Sequence, residues 1–447
     1  MADQWGERMT RSVSFSQIVA LSVGITIGSG IFRVPATVAA QLQFPGPMLL
    51  CWVLGGVIAL CGTLTVAELA GALPRSGGVF AYLLEGYGPL PAFLFGWSEL
   101  VVIRASALGA IATIFAEYLG YFVPLVATHV RVAAAVAIVL IGAVNYLGVQ
   151  RAAAVLSATT ALKYAVLVGL GLLAFTARGG SAAHFVPAWP ASAPLSLLAT
   201  ALIPVMWTYD GWADAAFVAG EVRDPQRNLP LALIAGALSV IVAYLVVNVG
   251  FLYALAPQTM ADSTLVAASV AARLPLLGGA GAAVVAVAVV ISAFSGLNAS
   301  MLAGSRIFYA MADRGLFFRV AARVSPRFDS PGVAIWLATL LGVAYVLLND
   351  FAELADKFIL GIWPFYTLTV AAVFVLRARC PELPRPYRVW GYPVVPAVFL
   401  IASVYMVLNA LLTDPRNTGI TFAIILAGVP VFWLWGRLRG LKVAQQQ

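Results

Sequence analysis

The sequence predicts an all-α membrane protein with about twelve transmembrane helices. Of its 447 residues, 62% are hydrophobic and only 10% are charged, whereas a soluble domain has about 25% charged residues. Apolar runs of about 20 residues recur along the chain, which is the length that a helix needs to cross a bilayer. The Lys and Arg residues are also distributed unequally between the segments that connect these runs. Together these observations favour a polytopic protein.

Twelve apolar runs, bounded by Pro, Gly and charged residues, are the candidate helices. They cover residues 15–40, 46–72, 91–122, 131–147, 155–176, 195–220, 230–255, 278–311, 332–348, 353–376, 393–413 and 417–437. Runs 91–122 and 278–311 exceed one bilayer thickness, which tilted or overrunning helices would explain.

The charge distribution predicts the orientation. With the N-terminus in the cytoplasm, seventeen of the 26 Lys and Arg residues fall in predicted cytoplasmic segments, and four lie in or near the helices. Five fall outside: Arg131, Arg178, Arg273, Lys357 and Arg416. This bias follows the positive-inside rule. It predicts a multi-pass protein of the cell's inner (cytoplasmic) membrane with both termini in the cytoplasm, and we expect no removable signal peptide.

Two of the runs contain interruptions near the middle of the membrane. In the first run, Gly28-Ser29-Gly30 begins about 13 residues from the start, or about 20 Å along a helix. The sixth run contains Pro204 and then residues 208–212 at a comparable depth. The two breaks are about 180 residues apart, and five helices between their starts would make them enter from opposite sides. Matching interrupted helices indicate an inverted-repeat transporter with its binding site between them.

The two breaks would offer complementary backbone groups. An unwound first helix leaves free N–H groups around Gly30, Ile31 and Phe32, which suit a carboxylate. The outer half of the sixth helix would end around Val205, Met206 and Trp207, and its carbonyls suit an ammonium group. This pattern predicts an α-amino acid site that uses no charged side chain. The alternative is that the glycines form only a helix-packing patch.

Two charged residues within the runs are candidate functional groups. Lys163 lies inside the fifth run, where it could act in transport or extend to the cytoplasmic surface. Asp210 lies in the sixth-run break, where it could face the ligand or cap the inner half of the helix.

Other polar residues give weaker indications. Glu68, Glu99 and Arg104 are expected nearer the cytoplasmic ends of their helices. Glu117 is expected near the outer end of the third helix, where a solvated, gating or substrate role remains open. No Cys or His spacing suggests a metal or a disulfide framework, no ATP-binding loop appears, and no cofactor is expected.

Six motifs, in this order, resemble the amino acid–polyamine–organocation superfamily, and within it bacterial relatives of the L-type amino acid transporters. They are GSGIF (28–32), AELAGALPRSGGVFAYL (67–83), ELVVIR (99–104), WTYDGW (207–212), SRIFYAMADRGL (305–316) and RPYRVWGYPVVP (385–396). The resemblance covers nearly the whole chain. It implies one transmembrane domain built as a five-plus-five inverted repeat, with repeats 15–176 and 195–376 and two additional helices in 393–437.

The resemblance also implies roles for individual residues. Ser29, Gly30 and Ile31 would bind the substrate carboxylate, and carbonyls near Ile27 and Trp207 would bind the amino group. In sodium-independent members of the family, a lysine of the fifth helix takes the place of a sodium ion, and Lys163 matches that position. Animal relatives bind a heavy-chain glycoprotein through a cysteine after the third helix, but the corresponding segment here, 124–130, has no cysteine. No covalent heavy-chain subunit is therefore expected.

The sequence thus predicts a transporter and not an enzyme. The leading hypothesis is sodium-independent exchange or facilitated uptake of neutral L-amino acids by alternating access. One alternative is a proton-coupled amino acid symporter in which Lys163 or Asp210 titrates. Another is a transporter of cationic amino acids or polyamines, in which Asp210 pairs with a second positive charge. A channel would need a polar stripe along its pore, and an enzyme would need convergent catalytic groups; neither pattern is found.

Overall fold

A computed structural model describes residues 11–438 apart from 12, 76, 148, 191–194, 319, 321–324, 326–329 and 331. The N-terminal residues 1–10 and the predicted cytoplasmic residues Arg319, Arg323, Arg327 and Arg439 lie outside the described part. The described residues form nineteen α-helices, several short 3-10 helices and no β-strand. The all-α fold class is therefore confirmed.

The helices are numbered in chain order. In the first part of the chain they are α1 (Phe15–Thr26), α2 (Val34–Leu42), α3 (Pro45–Ala72), α4 (Val79–Tyr87), α5 (Pro89–Ser98), α6 (Arg104–Leu119), α7 (Pro124–Thr128), α8 (Val130–Tyr146) and α9 (Val149–Leu173). In the second part they are α10 (Leu195–Tyr209), α11 (Pro225–Ala254), α12 (Pro257–Ala261), α13 (Val266–Ala271), α14 (Gly281–Asp313), α15 (Gly332–Leu348), α16 (Phe351–Arg379), α17 (Val394–Thr413), α18 (Pro415–Leu426) and α19 (Gly428–Leu438).

Each predicted run coincides with helical structure. Within the described residues, seven segments are long and apolar enough to cross a membrane: Pro45–Ala72, Pro89–Leu119, Pro225–Ala254, Gly278–Met301, Phe351–Arg379, Val394–Thr413 and Pro415–Arg437. Four shorter apolar helices accompany them: Phe15–Thr26, Val130–Tyr146, Thr160–Thr176 and Gly332–Leu348. The long run 91–122 consists of α5 and α6 joined by a π-helical turn, Glu99–Ile103.

The first predicted break is present as expected. Helix α1 ends at Thr26, a 3-10 turn covers Gly30–Phe32, and α2 begins at Val34. The second break lies slightly later than predicted, because α10 continues to Tyr209 and the turn covers residues 210–213. Pro204 lies inside α10 and does not end it.

The two breaks touch each other at Gly211. Its φ is +102°, a backbone conformation that only glycine adopts readily. A Cβ atom at this position would lie 3.0 Å from the backbone nitrogen of Thr26. Glycine therefore permits both the turn after α10 and the close approach of the two interrupted helices.

Apolar side chains cover much of the outer surface of the helix bundle. Leu340 of α15 and Ile401 of α17 are 66% and 69% exposed, as expected for helices that face lipid. Between helices, small residues allow close contact: a Cβ at Gly55 of α3 would lie 2.6 Å from Val205 of α10, and one at Gly236 of α11 would lie 2.6 Å from Ser22 of α1. This use of small residues is typical of packing within a bilayer.

Candidate functional site

A cavity of about 80 Å³ lies between the two helix breaks. The first break contributes Gly28, Ser29 and Gly30, and the second contributes Trp207 and residues 208 and 210. Helices α6, α14 and α16 form the remaining walls. The volume accommodates several water molecules or a small polar ligand. The structure thus brings the two predicted breaks together around one cavity.

Polar groups of the first break point to anion binding. The N–H groups of Phe32 and Arg33 donate to the carbonyls of Ser29 and Gly30, at 3.2 and 3.0 Å. Among the described backbone groups, no acceptor is recorded for the N–H groups of Ser29, Gly30 and Ile31. The Ser29 hydroxyl is buried and also has no hydrogen-bond partner among the described residues. Buried donors normally find an acceptor, so this arrangement suits a carboxylate.

The remaining backbone candidates lie around the cavity. Ile27 is the residue after α1, and its side chain and that of Ile31 are buried. Trp207 lies over Gly30, where an added Cβ would be 2.7 Å from its ring. Val205 does not line the cavity; its side chain faces Gly55 of α3. Of the candidates at the end of α10, Trp207 lines the cavity and Val205 does not.

Lys163 contacts the first break directly. Its Nζ donates to the carbonyl of Gly24 at 2.8 Å, and the side chain is 3% exposed. Gly24 lies in the last turn of α1, where carbonyls lack partners within the helix. The ammonium group therefore links α9 to the end of α1 and does not extend to the membrane surface.

Asp210 faces the cavity and does not cap the next helix. Its Oδ1 accepts a hydrogen bond from the Tyr366 hydroxyl at 2.9 Å. The 3-10 helix that follows, Asp214–Glu221, is preceded by Ala213 and has no side-chain cap. The alternative role predicted for Asp210, capping the next helix, is therefore not seen.

Three further charged residues line the same cavity. The guanidinium of Arg104 donates to Glu99 at 2.9 Å and to the Ser300 hydroxyl at 3.0 Å, and Asp214 lies nearby in the cavity wall. The expectation that Glu99 and Arg104 lie nearer the cytoplasmic ends of their helices is wrong. Both residues line the cavity between the two breaks. Asp214 was not singled out from the sequence; it follows the turn at residues 210–213 and begins a 3-10 helix.

A second, larger space of about 910 Å³ opens on the predicted outer side. At its floor, Arg33 Nε donates to Glu117 at 2.8 Å and Nη2 donates to the other carboxylate oxygen at 3.1 Å. The guanidinium lies 4.2 Å from the centre of the Phe351 ring. Phe351 in turn packs edge-on against Trp207, with ring centres 5.3 Å apart. We call this space the outer vestibule.

The rim of the outer vestibule carries several carboxylates, among them Asp350, Glu353, Asp356 and Asp414. Hydrogen bonds from the side chain and backbone of Asn417 hold the pKa of Asp414 below its usual value. Within the described residues, no group of three His, Cys, Asp or Glu side chains could hold a metal ion.

Comparison with known proteins identifies the relatives of this chain. Residues 13–435 match the sequence profile of a family described as amino acid permease. The chain is 29% identical to the serine/threonine exchanger SteT of Bacillus subtilis (strain 168) over 417 residues, or 93% of this chain and 94% of the relative. It is 32% identical to the b(0,+)-type amino acid transporter 1 of Homo sapiens over 410 residues, or 89% and 82%. It is 30% identical to the cystine/glutamate transporter of Homo sapiens over 434 residues, or 96% and 86%.

Proposed function

The chain belongs to the amino acid permease family, and on this premise we propose that it moves neutral L-amino acids across the cytoplasmic membrane by sodium-independent exchange or facilitated uptake. The cavity between the two breaks carries this proposal. Its donors come mainly from the backbone of residues 29–31 and from one serine hydroxyl. A site of this kind recognises the part that all α-amino acids share.

The α-carboxylate and the α-amino group would bind to different backbone groups of this cavity. The N–H groups of Ser29, Gly30 and Ile31 would receive the carboxylate. Carbonyls near Ile27 and Trp207 would receive the ammonium group. Alternating access then requires the two interrupted helices to change position around the bound substrate.

Lys163 would take the place of a bound sodium ion. Its ammonium group already donates to a carbonyl at the end of α1, which is a group that a metal cation would otherwise bind. Because this cation is attached to the chain, the first break can be stabilised without sodium.

The charge of the cavity favours a second candidate, the transport of cationic amino acids. Glu99, Asp210 and Asp214 face one guanidinium, that of Arg104. If all four groups are ionised, a neutral substrate leaves an excess of negative charge, which is unfavourable in a buried site. A substrate with a cationic side chain would balance this excess, and so would a proton carried with a neutral substrate.

The relatives support amino acid transport but differ in the substrates that their names give. One is a serine/threonine exchanger and another is a cystine/glutamate transporter. We propose further that this chain works without a covalently bound heavy subunit, because segment 124–130 contains no cysteine. The distribution of Lys and Arg supports placing both termini in the cytoplasm.

Uptake by the purified protein in liposomes tests the proposal. We expect radiolabelled serine, alanine or leucine to enter in choline buffer, and entry to accelerate when the liposomes contain unlabelled amino acid. Uptake of lysine and arginine tests transport of cationic amino acids, and an imposed pH gradient tests proton coupling. Absence of uptake for every amino acid, or uptake that requires sodium, would contradict the proposed function.

A further inference from the structure

The wall between the outer vestibule and the central cavity has two layers. Arg33, Glu117 and Phe351 border the vestibule, and Trp207 borders the cavity. The layers touch because Phe351 lies between the Arg33 guanidinium and the Trp207 ring. Trp207 in turn covers Gly30. A ligand passing between the two spaces along this route would have to separate these contacts.

The four side chains of the wall come from four different parts of the fold. Arg33 follows the first break, Glu117 belongs to α6, Phe351 begins α16, and Trp207 lies near the end of α10. The wall therefore joins both interrupted helices to α6 and to the first residue of α16. Relative movement of these two groups of helices would break it.

A second contact accompanies the ion pair. The Tyr118 hydroxyl donates to the carbonyl of Phe32 at 2.9 Å, so consecutive residues of α6 hold consecutive residues of the first break. The side chains of Arg33 and Glu117 are 22% and 20% exposed. Their interaction is thus partly shielded from water, yet open enough to the vestibule for both groups to be rehydrated when they separate.

We propose that Arg33 and Glu117 form a gating pair that holds the outer route closed. Separation of the pair accompanies opening toward the outer vestibule, so its strength sets the balance between the outer-open and outer-closed states. The inference rests on the alternating-access mechanism proposed above. It adds two residues that lie outside the amino acid site and act through the position of the first break.

A cysteine in the cavity reports this balance without relying on transport. Ala299 lines the cavity, and Ala299→Cys would react with a membrane-impermeant thiol reagent applied to oriented liposomes from either side. The background carries Cys380→Ser, because Cys51 and Cys61 are buried. In Arg33→Gln or Glu117→Gln, we expect labelling from the outer side to rise by up to about fivefold, the factor at the upper end of what an exposed ion pair contributes. Labelling from the inner side should fall.

Opposite changes on the two sides separate gating from general loosening, which would raise both rates. The double variant Arg33→Gln with Glu117→Gln should be labelled no faster than either single variant, because each already removes the pair. Arg131→Gln is the matched control for Arg33→Gln, since Arg131 lines the same vestibule and its loss removes the same charge. Its labelling should stay within twofold of the parent.

If the glutamine variants do not fold, Arg33→Lys replaces them. It keeps the charge but loses the two-point contact, and it should give a labelling rate between that of the parent and that expected for the glutamine variants.

Three results would overturn the gating pair: unchanged labelling in the glutamine variants, an equal rise from both sides, or an equal effect of Arg131→Gln. Failure of the proposed function would look different. In that case the parent Ala299→Cys protein would not be protected from labelling by amino acids, whatever the effect of the Arg33 and Glu117 variants.

Discussion

At the scale of single residues, the central cavity combines backbone recognition with an unusual amount of charge. At Gly28 the backbone is open to a ligand, because a Cβ added there would meet no protein atom within 4 Å. Gly30 differs: its added Cβ would press on Trp207 and on the Thr208 hydroxyl, at 2.7 and 3.1 Å. Neighbouring glycines thus have separate reasons to lack a side chain.

This difference allows a clean test of the carboxylate site. Gly28→Ala should fold normally and raise the KM for amino acids about tenfold, because the new methyl group enters the space where the ligand approaches the backbone. Gly30→Val should abolish transport, since it also displaces Trp207. Concentration-dependent uptake together with thermal unfolding would measure both effects. Gly169→Ala in α9, where an added Cβ is equally unobstructed, is the control; an unchanged KM in Gly28→Ala would argue against this site.

The carboxylates give a second prediction. In Asp210→Asn the amide oxygen can still accept from Tyr366, so uptake of neutral amino acids should fall only about twofold. Asp214→Asn should likewise preserve neutral substrates. Uptake of leucine, lysine and arginine by each variant provides the measurement. Selective loss of lysine and arginine transport would instead favour the cationic candidate.

Sequence reasoning located some of these residues better than others. Ser29, Gly30 and Lys163 were predictable because glycines and a lysine inside an apolar run are physically costly and therefore informative. Glu99 and Arg104 were placed too near the cytoplasmic end, although they lie about 8 and 13 residues after the start of the run at residue 91, or about 12 and 20 Å along a helix. Asp214 follows a turn whose path depends on Gly211 and its contact with Thr26.

At the scale of helices, a buried carboxylate at the end of α3 organises the segment after α16. Glu68 accepts two hydrogen bonds from Arg377, at 2.8 and 2.5 Å, and one from the backbone N–H of Val389 at 2.7 Å. Arg385 approaches the same carboxylate at 3.5 Å and also donates to the carbonyls of Leu376 and Cys380. The motif that begins at Arg385 is thereby folded against α3.

Glu68→Gln should therefore destabilise the protein. The amide cannot balance the charges of Arg377 and Arg385, and we expect a loss of roughly 2 kcal/mol, less than for a fully buried pair because Arg377 is partly exposed. Glu85→Gln, which breaks the more exposed pair with Arg75, is the control and should cost under about 1 kcal/mol. Thermal unfolding in detergent would compare the two variants; equal losses would contradict a special role for Glu68.

The positions of the helices were largely predictable, and their ends were less so. The twelve apolar runs match helical segments because crossing lipid requires long apolar helices. The second break was predicted two residues too early, since Thr208 and Tyr209 still belong to α10. Proline suggested an interruption at residue 204, but α10 continues through Pro204 to Tyr209.

At the scale of the whole molecule, Lys163 connects two helices that belong to the transport machinery. Lys163→Ala should reduce the exchange rate more than tenfold, because the end of α1 loses its cation and a buried carbonyl loses its donor. Leu162→Ala, which removes an exposed neighbour on the same helix, should have little effect. Exchange rates of both variants in choline and in sodium buffer would be compared. A strict sodium requirement in the unsubstituted protein would refute the role of Lys163.

The contact between Lys163 and Gly24 also limits the work that such a permease can do. A cation fixed to the polypeptide is never released into one compartment and collected from the other. If Lys163 takes the place of sodium as proposed, the electrochemical energy of a sodium gradient has no route into the transport cycle. In strict exchange, the accumulation ratio of one amino acid can rise only until it equals the ratio of the amino acid that leaves. Such a protein would replace one amino acid inside the cell by another from outside and leave the total number of amino acids inside unchanged.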